Sequence, residues 1–154
     1  MKKILILLLM LISAVGLSYW SFDFGLGYSL DGLYHLELED VYVTQNSWLI
    51  GGDLLTDFSG LTVKSVNLGL LVGKRLYLGP VQVTPKVTAG YTITPDKDSS
   101  TYWLFPRAEI AYNVKEYSVS FESGYTTHIY DWNNIQGSWI FSVGGGVKPS
   151  FGGL

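Results

Sequence analysis

Large apolar residues alternate with small or polar residues along most of this chain, and that alternation limits what the chain can fold into. The clearest stretch covers residues 19–30, where the odd positions after Tyr19 are small or polar. The even positions of this stretch are all aromatic or aliphatic: Trp20, Phe22, Phe24, Leu26, Tyr28 and Leu30. Successive side chains of a β-strand point to opposite faces, so the pattern predicts a strand with one oily face.

Similar stretches recur to the end of the chain, separated by turn-forming residues. We therefore predict one all-β domain of eight strands, at residues 19–30, 33–44, 46–58, 61–78, 81–94, 101–114, 116–130 and 136–151. Each is longer than the roughly 9–11 residues that a tilted strand needs to cross a bilayer. Tight turns near residues 45, 79 and 115 alternate with connections near 31, 59, 97 and 133. Short periplasmic turns and longer outer loops are typical of outer-membrane barrels.

Two features of the predicted strands depart from the simple pattern. Apolar residues of the second and third strands fall on the inner face: Val41, Val43, Leu49 and Leu55. A β-bulge could shift the register there. Pro85 and Pro106 also lie inside strands, where each removes one hydrogen bond of the ladder.

The first eighteen residues predict an export signal. Lys2 and Lys3 precede an apolar run over residues 4–17, which is shorter than the roughly 20 residues of a spanning helix. We expect cleavage after this segment and a barrel domain at 19–154; a retained anchor is the alternative. Without the two lysines, ten basic residues become eight against thirteen acidic ones, and this net charge of −5 disfavours nucleic acid as a partner. The absence of cysteine excludes disulfides and thiolate metal sites.

The volume of the side chains decides which face of the predicted barrel is the inside. A soluble barrel of lipocalin type would place the oily face inward. The interior of an eight-stranded barrel is just wide enough to be filled by side chains, and the large aromatic residues would not fit there. The Gly-, Ser- and Thr-rich face does fit. We therefore predict an eight-stranded antiparallel up-and-down transmembrane β-barrel whose oily face contacts lipid.

Charged and aromatic residues agree with this orientation. Apart from Glu116 at a turn, the predicted strands contain fourteen charged residues; twelve of them fall on the small-residue face, and only Asp40 and Lys74 face outward. Outward aromatic residues cluster at two heights, as membrane-interface residues do. The periplasmic set is Trp20, Tyr42, Trp48, Tyr112, Tyr117 and Phe151, and the opposite set is Tyr28, Tyr34, Phe58, Tyr91, Tyr102, Tyr125 and Trp139.

Inward charges should form a network, because a buried ion costs several kcal/mol unless it is paired. The expected members are Asp23, Lys86, Arg107, Glu109, Glu122 and Lys148. Hairpin registers place Lys86 opposite Glu109 and Arg107 close to Glu122, with Asp23 and Lys148 at similar heights. The network would plug the lumen and fix the barrel; a gated path for ions or small solutes is the alternative.

This architecture resembles the small eight-stranded outer-membrane proteins of the OmpA and OmpX type, through its pattern over the whole mature chain rather than through a shared motif. The resemblance implies a bacterial outer-membrane location, contact with lipid and lipopolysaccharide, and insertion by the barrel-assembly machinery. It implies no cofactor. Family members often end in an aromatic residue, whereas here Phe151 is followed by Gly152, Gly153 and Leu154.

Some eight-stranded barrels are lipid-modifying enzymes, and these use a serine activated by a nearby histidine. Here Ser120 and Glu122 share a predicted face with His128, but Ser120 lies eight residues away and cannot reach it along one strand. We therefore expect no enzymatic activity, and a hydrated His128 near the barrel mouth.

Two further residue groups suggest binding. His35, Glu37 and Glu39 alternate on one strand and could hold a metal, but lumen polarity explains them better and we expect no metal there. Aromatic residues at the outer rim, beside Asp131, Asn133 and Asn134, could contact a surface ligand or lipopolysaccharide headgroups. These aromatic residues are Trp103, Tyr130 and Trp132.

Overall fold

The barrel strands form one antiparallel sheet that closes on itself. The computed structural model describes residues 19–95, 101–131 and 134–147. The strand segments are β1 (Tyr19–Ser29), β2 (Tyr34–Val43), β3 (Trp48–Ser59), β4 (Thr62–Lys74), β5 (Leu76–Leu78), β6 (Val81–Ile93), β7 (Thr101–Val114), β8 (Tyr117–Asp131) and β9 (Asn134–Val147). β1 pairs with β9, and both β4 and β5 pair with β6, so these two segments make one barrel strand. The predicted closed eight-stranded barrel is confirmed.

Some sequence predictions fall outside the described residues. These are the export signal at residues 1–18, and Lys148 and Phe151 near the C-terminus. Within the described ranges, no helix is long and apolar enough to cross a membrane.

A proline on the neighbouring strand causes the interruption between β4 and β5. Gly73 pairs with Lys86 and Leu76 pairs with Val83, in one continuous register that would bring Lys74 opposite Pro85. Proline has no backbone N–H to donate, so the ladder is broken at that point. Pro106 has the same effect on the hydrogen bonds between β7 and β8. Its pairing with β6 is kept, whereas the ladder between β7 and β8 is interrupted between Leu104 and Arg107.

The second and third strands pair without the bulge that could have shifted their register. β2 and β3 pair without a shift from Tyr34 opposite Phe58 to Val43 opposite Leu49. Their inward apolar residues instead form a buried cluster inside the barrel, with Leu71 of β4 and with Tyr19 packed against it. The register shift lies one strand pair away, between Asp57 and Phe58, where β3 pairs with β4. An apolar inner layer thus replaces the proposed shift in register.

The connections between strands define two ends of the barrel. We call the end with the connections at 44–47, 79–80 and 115–116 the turn end, and the other the mouth end. Each turn is tight: Gly79 and Pro80 alone join β5 to β6, and Lys115 and Glu116 alone join β7 to β8. Gly79 and Lys115 adopt positive φ angles of 64° and 54°, as the reversal of such short turns requires.

The outer face of the barrel is oily and exposed, as predicted. Leu70 is 76% exposed and Val119 is 70% exposed, and outward aromatic residues stand along both ends. The inner face is buried and carries most of the charged groups, together with two apolar clusters. The second cluster consists of Leu55, Trp103, Phe105 and Ile140. On β3, Leu55 lies between Asp53 and Asp57, so this apolar layer separates the middle of the lumen from the mouth.

Candidate functional site

Two cations on neighbouring strands occupy the middle of the lumen. Lys86 of β6 lies directly opposite Arg107 of β7, and both side chains point inward. Strand alternation produces this arrangement, since each residue is flanked by outward-facing neighbours. Lys86 Nζ lies 2.6 Å from Glu39 Oε1, 2.8 Å from Glu109 Oε2 and 2.5 Å from Glu122 Oε2. One ammonium group therefore holds carboxylates from three other strands.

The register of the Lys86–Glu109 pair differs from our prediction. Glu109 is opposite Thr84 rather than Lys86, two residues away along β6. The long lysine side chain spans this offset and still contacts the carboxylate.

Arg107 contacts four carboxylates. Its Nη2 atom lies 2.6 Å from Glu39 Oε1, 2.7 Å from Asp53 Oδ2 and 2.9 Å from Glu37 Oε1. Its Nε atom lies 3.1 Å from Glu122 Oε1, which is the contact expected from the sequence. The planar guanidinium presents several N–H donors in a fixed fork, which suits such a shared position.

The central ion network is rich in acid. It contains two cations and five carboxylates, from Glu37, Glu39, Asp53, Glu109 and Glu122, and each of these residues is at most 6% exposed. Oxygens of Glu37, Glu39 and Glu122 lie within 4.8 Å of one another, a spacing that could suit a metal ion. Lys86 and Arg107 already contact these carboxylates, so cations of the protein itself lie beside them and balance part of their charge.

Three members of this network were not among the predicted site residues. Glu37, Glu39 and Asp53 were assigned to the inner face, but without partners. One signal could have placed them: in the hairpin of β2 and β3, Glu39 lies opposite Asp53. Two buried carboxylates facing each other need a cation between them, and Arg107 supplies it from across the barrel.

A separate ion pair lies nearer the turn end. Arg75 Nη2 lies 3.0 Å from Asp23 Oδ2, and the same guanidinium donates to Ser21 Oγ and Tyr19 Oη. We had matched Asp23 with Lys148, which lies outside the described residues, and had left Arg75 unpaired. The interrupted segment between β4 and β5 carries the residue that actually contacts Asp23.

The central network leaves almost no empty space. The void enclosed by Asp23, Glu39, Lys86, Glu109 and Glu122 and their neighbours has a volume of about 10 Å³. A cavity must offer about 10–15 Å³ to hold one water molecule. The middle of the lumen is therefore filled by side chains rather than by a water column.

The mouth end contains a different arrangement, a chain of hydrogen bonds from His35 to His128. His35 Nδ1 lies 2.6 Å from Asp57 Oδ1, and Asn67 Nδ2 donates to Asp57 Oδ2 at 3.0 Å. Thr92 Oγ1 contacts Asn67 Oδ1 at 2.6 Å and His128 Nδ1 at 3.0 Å. We call these five residues the mouth belt. All of them except Asn67 line an open cavity of about 410 Å³.

The mouth belt also revises the candidate metal triad of β2. His35 turns to Asp57, whereas Glu37 and Glu39 contact Arg107 in the central network. These three residues therefore belong to two separate arrangements.

The candidate catalytic residues do not come together. Ser120 pairs in register with Gly144 of β9, whereas His128 pairs with Gln136. The two positions are eight residues apart on one strand, or about 27 Å at 3.4 Å per residue. Glu122 contacts Lys86 and Arg107 instead of a histidine.

The aromatic residues of the predicted interface set face outward at both ends of the barrel. Trp20, Tyr28, Tyr91 and Trp139 are between 46% and 54% exposed, and cross-strand aromatic pairs occur at both ends. The described members of the predicted interface set all face outward: Trp20, Tyr28, Tyr42, Trp48, Tyr91, Tyr112, Tyr117, Tyr125 and Trp139.

The structure corrects the predicted position of Trp103. We had placed it at the outer rim, but it is 1% exposed and packs inside the barrel, where its Nε1 donates to Thr126 Oγ1 at 2.9 Å. Tyr130 is 45% exposed, and Trp132 lies outside the described residues.

Comparison with known proteins adds information on the fold. No family model and no curated protein matches the chain. A structure described as "De novo design of transmembrane beta-barrels" is similar with a TM-score of 0.55 and 17% identity, over 84% of this chain and 94% of that chain. The solution NMR structure of the de novo designed TMB2.3 also gives a TM-score of 0.55, with 13% identity over 86% of this chain and 95% of that chain. The chain thus has the fold of transmembrane β-barrels.

Proposed function

We propose that this chain is an integral outer-membrane β-barrel protein of bacteria, exported by a cleavable signal peptide. The broad oily outer face supports this proposal. Soluble monomers rarely expose continuous apolar patches larger than a few hundred Å², whereas a lipid bilayer would cover such a surface. The outward aromatic residues would then lie at the two membrane interfaces, in contact with phospholipid and lipopolysaccharide.

We propose further that the barrel has a structural or surface-contact role and does not conduct. The observation that carries this is the central ion network, where the void of about 10 Å³ beside Lys86, Glu109 and Glu122 leaves no room for a hydrated ion. The resemblance to the OmpA and OmpX type belongs to the same proposal, as does insertion by the barrel-assembly machinery. Exposed Tyr130 and Ile135 at the mouth end are available for contact with a surface partner.

Planar-bilayer recording tests the closed lumen. Purified protein should give no steady unitary currents, because Lys86 and Arg107 fill the middle of the barrel. The double variant Arg107→Ala with Glu122→Ala removes both members of one pair, and we expect currents to appear. Steady unitary currents from the unmodified protein would replace our proposal with a narrow channel for ions or small solutes.

The location is tested separately by fractionation. The heat-modifiable protein should co-purify with outer membranes rather than with soluble or inner-membrane fractions. Recovery as a soluble monomer without detergent would end the proposal of a membrane barrel, whatever the conductance result.

We also propose that the barrel is not an enzyme. The distance between Ser120 and His128 supports this, because a serine nucleophile needs its base within hydrogen-bond reach. Incubation with lipopolysaccharide should release no fatty acid. Release that Ser120→Ala abolishes would establish a lipid-modifying activity instead.

A further inference from the structure

An open groove lies on the outer face of the barrel, across β1, β2, β3 and β4. Its volume is about 570 Å³. The row nearer the turn end contains Phe22, Asp40 and Gly52, which lie opposite one another in register. The next row towards the mouth end consists of large apolar residues, again in register: Phe24, Leu38, Leu54 and Leu68. The groove therefore extends from a carboxylate near the turn end to an oily wall nearer the middle of the barrel.

Gly52 creates the depression in this surface. It occupies an outward position of β3, between Asp40 of β2 and Leu70 of β4. Its outward neighbour on the same strand, Ile50, is 57% exposed. A methyl group added to Gly52 would meet no atom within 4 Å, so the place of one large side chain is empty. A glycine inside a strand often marks a close approach of another molecule, and this space can hold an extended hydrocarbon chain.

Asp40 places a negative charge at the edge of the depression. Its side chain is exposed, and it has no hydrogen bond or ion pair with another residue in the described part of the chain. Trp20 and Tyr42 lie opposite each other one step nearer the turn end, with ring centroids 5.5 Å apart. Asp40 is roughly 7 Å from Tyr42 along the strand, so it lies just inside this pair of interfacial rings. A charge on a lipid-facing surface is costly without a partner of opposite sign, and here the cation has to come from outside the barrel.

We propose that the groove binds a phospholipid with a primary ammonium headgroup, of the phosphatidylethanolamine class. The ammonium group contacts Asp40, and one acyl chain lies over Gly52 against Leu38 and Leu54. This inference rests on the proposed function, because only a barrel in a membrane meets phospholipid at this face. The order of the groups matches that of a lipid, since Asp40 lies beside the interfacial rings and the apolar wall lies nearer the bilayer centre.

The chemistry of the headgroup makes the site selective. A primary ammonium group donates N–H groups, and a charge-assisted hydrogen bond to a carboxylate is about twice as strong as a neutral one. The nitrogen of phosphatidylcholine has the same charge but is fully methylated, so it offers no donor to Asp40. The anionic headgroup of phosphatidylglycerol would be repelled by the carboxylate. Lipids with identical acyl chains therefore separate hydrogen bonding at Asp40 from simple attraction of charge.

Competition between these lipids tests the site. Purified protein in detergent micelles receives equal amounts of dioleoyl phosphatidylethanolamine, phosphatidylcholine and phosphatidylglycerol, and native mass spectrometry identifies the lipid retained by each barrel. We expect phosphatidylethanolamine to be retained about tenfold more often than either competitor, which corresponds to one charge-assisted hydrogen bond. Asp40→Asn keeps the shape of the side chain but not its charge, and should remove the preference.

Lys74→Met is the matched control, because it deletes the other outward charge of the strands and leaves Asp40 and Gly52 intact. Its lipid preference should equal that of the unmodified protein. Gly52→Leu keeps the carboxylate but fills the depression, and should no longer retain phosphatidylethanolamine. Heat-modifiability on gels checks that each variant folds; if Asp40→Asn does not fold, Gly52→Leu still carries the test.

Equal retention of phosphatidylethanolamine and phosphatidylcholine, or a preference that persists in Asp40→Asn or Gly52→Leu, would overturn the proposal. A preference that Lys74→Met also removes would overturn it as well, because the overall charge of the surface would then select the lipid. A barrel dimer without retained lipid would assign the groove to a second copy of the chain instead. The proposed membrane location fails in a different way, since protein that stays soluble without detergent would retain none of these lipids.

Discussion

Removal of Arg107 should be the most damaging single change in the lumen. Arg107→Met keeps much of the side-chain volume but deletes a guanidinium that contacts Glu37, Glu39, Asp53 and Glu122. Neither Glu37 nor Asp53 has another cation within 4.0 Å among the described residues. Both would be left as buried, unpaired carboxylates, because Arg107 lies in the middle of a lumen that water does not fill.

The expected loss follows from the cost of an orphaned charge. Breaking a buried ion pair by removing one partner costs about 3–5 kcal/mol, and this arginine serves more than one carboxylate. We therefore expect the unfolding equilibrium to shift by at least about a hundredfold, since about 1.4 kcal/mol corresponds to a factor of ten. Urea unfolding from lipid vesicles, followed by tryptophan fluorescence, measures this shift.

A lipid-face lysine provides the control for this experiment. Lys74→Met also deletes a cation, but one that lies on the outer face, 5.2 Å from the centroid of the Trp48 ring. A cation–π contact at such a site contributes about 0.5–1 kcal/mol. The combination of Arg107→Met with Asp53→Asn should recover part of the loss, because one orphaned charge is removed. Equal stabilities of Arg107→Met and Lys74→Met would refute the view that the network holds the barrel.

Three further substitutions test other parts of the fold. Gly124→Ala should lower the unfolding free energy by about 1–3 kcal/mol, because its methyl group would lie 2.6 Å from Phe105 and closer still to Arg107. The control Gly52→Ala meets no atom within 4 Å and should leave the urea midpoint unchanged. Leu70→Arg should cost about 2–4 kcal/mol in vesicles and Tyr112→Arg about 1 kcal/mol, since the penalty on the lipid face falls towards the interface; similar costs at both depths would contradict the orientation. Trp103→Phe should lower the unfolding free energy by about 1–3 kcal/mol, as a buried indole with a satisfied N–H requires, whereas a rim residue would show almost no change.

Strand alternation predicted which way each side chain points, because this property depends only on local sequence. The rule holds even for the exceptions, since Asp40 is exposed on the outer face and Lys74 is outward against Trp48. It also applies to the residue that we misplaced. Trp103 has the same parity as Arg107 and Glu109 on β7, and its position near the strand end led us to the rim. Strand alternation predicts the inward direction of this side chain correctly, whereas proximity to a loop does not.

The identity of the ion-pair partners could not be predicted in the same way. Arg107 and Glu39 are 68 residues apart, and Arg75 and Asp23 are 52 apart. Such contacts form across the lumen, so they depend on how the closed sheet is staggered, which single hairpins do not define. The contact of Arg107 with Glu122 was accessible because the two residues lie on neighbouring strands.

The apolar layer inside the barrel should make the two polar arrangements energetically independent. Leu55 and Phe105 separate the central network from the mouth belt, and no ion pair in the described part of the chain crosses this layer. Substitutions at independent sites usually add within about 0.3–0.5 kcal/mol. The stability losses of Arg107→Met and His128→Gln should therefore add in the double variant. A coupling above about 1 kcal/mol would mean that polar contacts continue through the layer, and it would favour a path along the lumen over a closed plug.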